Sequence, residues 1–249
     1  GASASAAIDF TLGNALLHFA VGVLLYRKKL GDSRLFYLVA GLVLVFVTLA
    51  VPVQLDGNWV TLLWGAEAVL VFWLGRSQKI SVYEKFSYIL MVLSIGSLLH
   101  DYDAYHMAIS DNWQQHPPLL NSWFLNGLLT SAFFGVLAWL HLGRRYPQPA
   151  FYKKVPFFNM LGYGIPLAFV LLLYQTFRLE VKMYWQQRFL ASKVAIGDTF
   201  ELNYPLYKFS EIWQLNYSLG FCTLLLLAAW YLLKNRQATW FAMGCSALA

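Results

Sequence analysis

Two ionisable side chains sit where water is scarce: Glu67 within LLWGAEAVLVFW and His18 within NALLHFAVGVLL. A carboxylate and an imidazole placed in apolar runs can pass a proton between them or grip a polar substrate, and near the centre of a membrane helix each costs at least ~2.5 to 3.5 kcal/mol. Glu67 lies nine residues in from Asn58 and His18 eleven in from Ala7. At 1.5 Å per residue these are depths of roughly 13 and 16 Å, which would let the two side chains pair. Asn14 lies one turn from His18 on the same face, and Trp64 about one turn from Glu67. His18, Glu67, Asn14 and Trp64 therefore form a candidate intramembrane polar cluster. It can be a proton-coupled or substrate site with Glu67 titrating, or an interhelical hydrogen bond that only fixes packing.

A second constellation is HDYDAYH, where His100, Asp101, Asp103 and His106 offer nitrogen and oxygen ligands within seven residues and His116 follows downstream. A divalent metal takes such ligands, but the spacing fits none of the established metal motifs, and helix ends that meet water collect Asp and His for their own reasons. Cys222 and Cys245 fall in apolar stretches and form neither a disulfide framework nor a C-x-x-C motif. No phosphate-binding loop, nucleophile elbow or dinucleotide fingerprint is present, and no cofactor is expected.

The elements that must position these residues are set by composition. Of the 249 residues 59% are apolar, 18% aromatic and 12% charged, against roughly a quarter charged in soluble domains. So few charges could not cover the surface of a soluble core of this size. The net charge of +6 sits in short clusters between apolar runs rather than along one face, which excludes nucleic acid as the expected partner.

A helix crossing a hydrocarbon layer of roughly 30 Å needs about 20 apolar residues. Seven runs qualify, near 7–26, 35–53, 58–75, 82–100, 119–142, 155–177 and 211–233, and an eighth begins near Thr239 and is cut short at Ala249. The expected fold is all-α: a single polytopic transmembrane bundle over 1–249, a piece of a longer protein. Lys and Arg collect in cytoplasmic loops. Clusters after spans one, three, five and seven hold thirteen of the eighteen, among them Arg27, Arg76, Lys85, Arg144 and Lys234, while 54–57 and 101–118 hold none. The N-terminus is therefore expected outside. The other five lie in 178–210, an extracytoplasmic or interfacial insertion that mixes charges with Tyr184, Trp185, Phe189, Tyr204 and Tyr207. That mixture predicts an amphipathic extension of span six followed by an irregular or short extended stretch. Pro166 with Gly162 and Gly164 predicts a bend in the same span.

The stretch VPVQLDGNWVTLLWGAEAVLVFWLGR, from Val51 to Arg76, closely resembles a bacterial multi-pass membrane-protein family, domain of unknown function 2339. ALLHFAVGVLLYRKK at 15–29, LLNSWFLNGLL at 119–129 and IWQLNYSLGF at 212–221 extend the resemblance over most of the chain. Trp64 and Glu67 fall on its W-x-x-E positions and His18 on its HF pair. The resemblance implies an all-helical protein of the bacterial inner membrane with more spans than this chain; it implies no reaction.

The leading expectation is a non-enzymatic scaffold or assembly component that meets membrane lipids and other membrane or periplasmic proteins. A transporter or lipid flippase would instead have a polar cavity reaching Glu67 and His18. A transferase or hydrolase of the outer face would have a pocket joining His100 to 178–210.

Overall fold

The computed structural model describes residues 57–112, 116–143, 156–196 and 199–233. They form five long helices: α1 (Asn58–Ser77), α2 (Ser81–Asn112), α3 (Ser122–Leu142), α4 (Pro156–Ala191) and α5 (Tyr204–Leu233). Between α4 and α5 lie two short antiparallel strands, β1 (Val194–Ile196) and β2 (Thr199–Glu201), with Ala195 opposite Phe200. All five helices are long and apolar enough to cross a membrane. The helical, membrane-compatible structure fits an integral membrane protein. The expected spans at 7–26 and 35–53, the start of an eighth at Thr239, and the N-terminal orientation fall outside the described residues. The two ends of the bundle are therefore named by residues, the Asn58 end and the Arg76 end.

α2 is longer than expected, α5 begins at Tyr204 rather than near 211, and α4 carries the helical extension predicted for it. α2 does not stop at His100 but runs to Asn112, and α4 continues past Phe177 to Ala191, with the strand pair after it. At 1.5 Å per residue α2 is about 48 Å and α4 about 54 Å long, well beyond the ~30 Å of a hydrocarbon layer. Both overhang at the Asn58 end. Pro166 lies inside α4, which stays helical through it.

Helices α1 and α2 form the tightest hairpin, α3 pairs with α4 and α4 with α5, and α1 packs on α3 to join the first hairpin to the rest. Periodicity explains how. The residues that α2 buries, Glu84, Ser87, Met91, Ser94, Leu98, Asp101, Tyr105 and Ile109, recur every three or four positions and define one stripe. The core they meet includes Val71 and Phe72 of α1, Phe134 and Leu137 of α3, and Met183 of α4.

The α1–α2 turn is sharp. Lys79 takes φ 58°, and the Gln78 and Ile80 amides donate to the Leu74 and Gly75 carbonyls at 2.9 Å each, closing α1. Gly75 allows the close return: a β-carbon there would stand 2.7 Å from the backbone nitrogen of Glu84. Gly96, on the same hairpin, has open space around it. Gly75→Ala should cost about 1–3 kcal/mol because backbone has to move, whereas Gly96→Ala should be neutral or gain up to ~1 kcal/mol in helix propensity. Reversible unfolding in mixed micelles, with both variants run beside wild type, measures the difference.

Candidate functional site

Membrane helices cannot leave polar side chains to water, so the buried ones must find each other. Along the α2 stripe they do. At the Arg76 end, the Arg76 Nε donates to Glu84 Oε1 at 2.7 Å, and both side chains are wholly buried. A second guanidinium nitrogen, Nη2, lies 3.0 Å from Nδ1 of His141 on α3. Arginine can only donate, so the imidazole meets it with an unprotonated nitrogen. The guanidinium also covers the Phe72 ring, 5.0 Å from its centroid. Three helices are tied at this point by one cation.

Nearer the Asn58 end, Asp101 of α2 lies between α1 and α3. Its Oδ2 accepts from Thr61 Oγ1 at 2.7 Å and from Asn126 Nδ2 at 2.8 Å. Thr61 Oγ1 is also 2.6 Å from Ser97 Oγ. One hydroxyl carries one proton; given to the carboxylate, it leaves Ser97 as the donor to Thr61. Asn126 Nδ2 reaches Asn58 Oδ1 as well, at 3.3 Å, and Ser94 donates to the Thr61 carbonyl at 3.1 Å.

One turn further, Tyr102 OH and Thr176 Oγ1 of α4 are 2.9 Å apart across Gly127 of α3, where a β-carbon would meet Thr176 at 2.8 Å. Beyond them lies Glu180 of α4. Its Oε1 accepts from the Leu119 amide at 2.7 Å and from Asn121 Nδ2 at 3.1 Å, and its Oε2 from Tyr105 OH at 3.3 Å. Leu119 has φ 64°, a left-handed conformation that costs an L-residue roughly 1–2 kcal/mol. The bond to Glu180 holds it there. Asn121 meanwhile caps α3, accepting from the Phe124 amide at 2.8 Å. A polar seam thus joins α2, α3 and α4 from Ser94 to Glu180, with α1 contributing Thr61 and Asn58.

Glu67 is buried on α1 and Trp64 packs half-buried against the core, while His18 and Asn14 lie outside the described residues. The ligand candidates of HDYDAYH are parted by the helix they share: Asp101 turns inward to Thr61 and Asn126, His100 and Asp103 are exposed, and His106 Nε2 lies 3.5 Å from Lys182 Nζ. Among the described residues no group of three His, Cys, Asp or Glu side chains comes together to hold a metal. The pocket that borders the 178–210 segment is lined by Leu119, Glu180 and Trp213 among others, not by His100.

Arg76, Glu84 and His141 were legible only as flanking charges and a lone histidine. The signal was there: Arg76 and Glu84 are eight residues apart across the turn at Lys79, the reach of a tight helical hairpin. Glu180 was legible only as one charge in a mixed segment. No family model, no curated protein and no solved structure matches the chain.

Removing one partner of the Arg76 pair should strand the other. Arg76→Met is expected to cost about 3–5 kcal/mol, and Arg76→Met combined with Glu84→Leu to recover much of that loss. Unfolding free energies of the two single variants and the double variant measure the coupling.

Proposed function

We propose that the chain is a scaffold or assembly component of a membrane complex and that α5 is the helix it offers to a partner. The supporting observation is Asn216. Of α5's most apolar stretch only 6% is buried, against 50% in α3. α5 packs on α4 through Tyr174, Tyr217 and Phe221, whose ring centroids are 5.2 to 6.0 Å apart, and through a 2.7 Å bond between Tyr174 OH and Ser218 Oγ. On its exposed side Asn216, Gly220 and Thr223 recur at helical spacing. Exposed leucines suit lipid, but an exposed amide does not. Small and amide-bearing side chains on one face of a membrane helix suit close packing and hydrogen bonding with another helix. A transporter would need a polar passage. Two cavities among the described residues are walled mainly by apolar and aromatic side chains, with Lys85 and Glu180 as their charged members.

On this reading the chain belongs to the family it resembles, lies in a bacterial inner membrane with its N-terminus outside, and meets lipids and other membrane or periplasmic proteins. The Asn58 end, where α2 and α4 overhang, then faces outward. A contact between the buried Glu67 and His18 would on this reading only fix packing.

A photo-crosslinking amino acid at position 223, in cells, should give an adduct of one defined protein mass, while the same group at exposed position 139 should give lipid adducts. Asn216→Leu should lower the protein adduct about three- to tenfold. Lipid adducts alone from position 223, or a yield unchanged by Asn216→Leu, would contradict the scaffold reading.

A further inference from the structure

At the Asn58 end a pocket of about 500 Å³ opens between α4, α5 and the segment before α3. Its walls are mainly aromatic. Phe177, Tyr184 and Trp185 come from α4 and Trp213 from α5, and Glu180 is its one acidic member. The Trp185 ring stacks on Trp213 at 6.3 Å and meets Tyr184 edge-on at 5.5 Å. The three donors to Glu180, the Leu119 amide, Asn121 and Tyr105, are all neutral. No cation pairs with this carboxylate among the described residues. Its Oε2 takes a single long bond and keeps acceptor capacity, since a carboxylate can accept about four. At the exposed end of the same α4 face the Arg188 guanidinium lies over the Tyr184 ring, 5.4 Å from its centroid.

We propose that this pocket binds an ammonium group, with the Trp and Tyr rings around it and Glu180 as its counter-charge. Aromatic faces attract ammonium cations through their quadrupoles, most strongly where water is excluded, and a nearby buried carboxylate adds a full charge. The walls select an alkylated or lipid-borne ammonium over a hydrated metal cation, which needs more oxygen ligands than one carboxylate supplies. The ammonium can come from a free organic cation or from the headgroup of a zwitterionic phospholipid. In the second case Arg188, about two turns along α4 from Glu180, meets the phosphate. The site takes Trp213 from α5 but none of Asn216, Gly220 and Thr223, so loss of a partner adduct at position 223 and loss of choline binding are separate outcomes.

The test uses the full chain in discs of phosphatidylglycerol, a lipid without ammonium, titrated with choline chloride and followed by tryptophan fluorescence against a sodium chloride control. A saturable change is expected, at least about tenfold weaker in Glu180→Gln. Glu180 also holds Leu119 and Asn121, so Val181→Trp, which fills the pocket and leaves those bonds alone, is run beside it and should abolish the response. Native mass spectrometry in mixed lipid then separates the sources. Selective retention of phosphatidylethanolamine over phosphatidylglycerol, lost in Arg188→Gln, assigns the site to a lipid headgroup. A choline response without such retention assigns it to a soluble cation. No saturable choline response together with no lipid selectivity overturns the proposal, as does a response unchanged in Val181→Trp.

Discussion

Hydrocarbon offers no hydrogen bonds, so a helix that carries carboxylates, hydroxyls and an amide across a membrane must face them all toward its neighbours. Helix α2 lives under that constraint. Glu84, Ser87, Ser94, Asp101 and Tyr105 share its buried stripe, and the side chains that answer them, Arg76, Thr61, Asn126, Asn121 and Glu180, come from α1, α3 and α4. The packing order of the helices follows from these pairings. α1 must lie against α2 to bring Arg76 to Glu84, and α3 must lie beside both to reach Asp101 with Asn126. The apolar core fills the space between the polar contacts, with Phe72 and Leu98 fully enclosed. Individual interhelical hydrogen bonds in membranes are modest, about 0.6 kcal/mol on average. Their effect here is to specify register rather than to supply bulk stability, because a helix displaced by one residue would turn several polar groups toward lipid at once.

The two ends of the bundle differ in kind. The Arg76 end is locked by one ion pair with no exposure at all, under a turn too tight for any side chain at position 75. The Asn58 end is built from longer helices, a strained Leu119 and an aromatic pocket, and it holds the overhang of α2 and α4. Close packing at one end thus contrasts with a largely aromatic cavity holding one carboxylate at the other. α5 stands apart from the seam. It joins the bundle through a tyrosine and phenylalanine cluster and a serine, and leaves most of its length to whatever surrounds it.

Much of this was legible in the sequence. The runs at 58–75 and 119–142 lie on α1 and α3 with nearly the same bounds, and 211–233 lies within α5, which begins at Tyr204, because unbroken apolar stretches report a span directly. α2 was cut short at His100 because the charges there resemble a helix end meeting water, whereas the extension of span six past Phe177 and the short extended stretch after it were legible in the mixed aromatic and charged segment. Helical phase was the better guide: Asp101 and Tyr105 are four residues apart and face inward, while His100 and Asp103 face out. The same phase parts the four candidate ligands of HDYDAYH around the helix they share. Pro166 suggested a bend, and α4 stays helical through it. The pairings of Arg76 with Glu84 and of Glu180 with Tyr105 were not legible, since topology rules treat a basic residue at a helix end as a flank rather than as a core group. Glu67 is buried on α1, and the His18 expected beside it lies outside the described residues.

The claim that polar side chains of α2 face a closed seam is tested most directly by carboxyl footprinting of the wild-type chain in lipid discs. The chain is exposed to a carbodiimide and an amine, and modified Asp and Glu residues are mapped by mass spectrometry. Asp103, Glu201 and Glu211 are exposed and should be modified rapidly, while Asp101 and Glu84, 3% and 0% exposed, should stay unmodified until the protein is unfolded. Modification of Asp101 as fast as that of Asp103, two residues away on the same helix, would contradict the seam and the packing order derived from it.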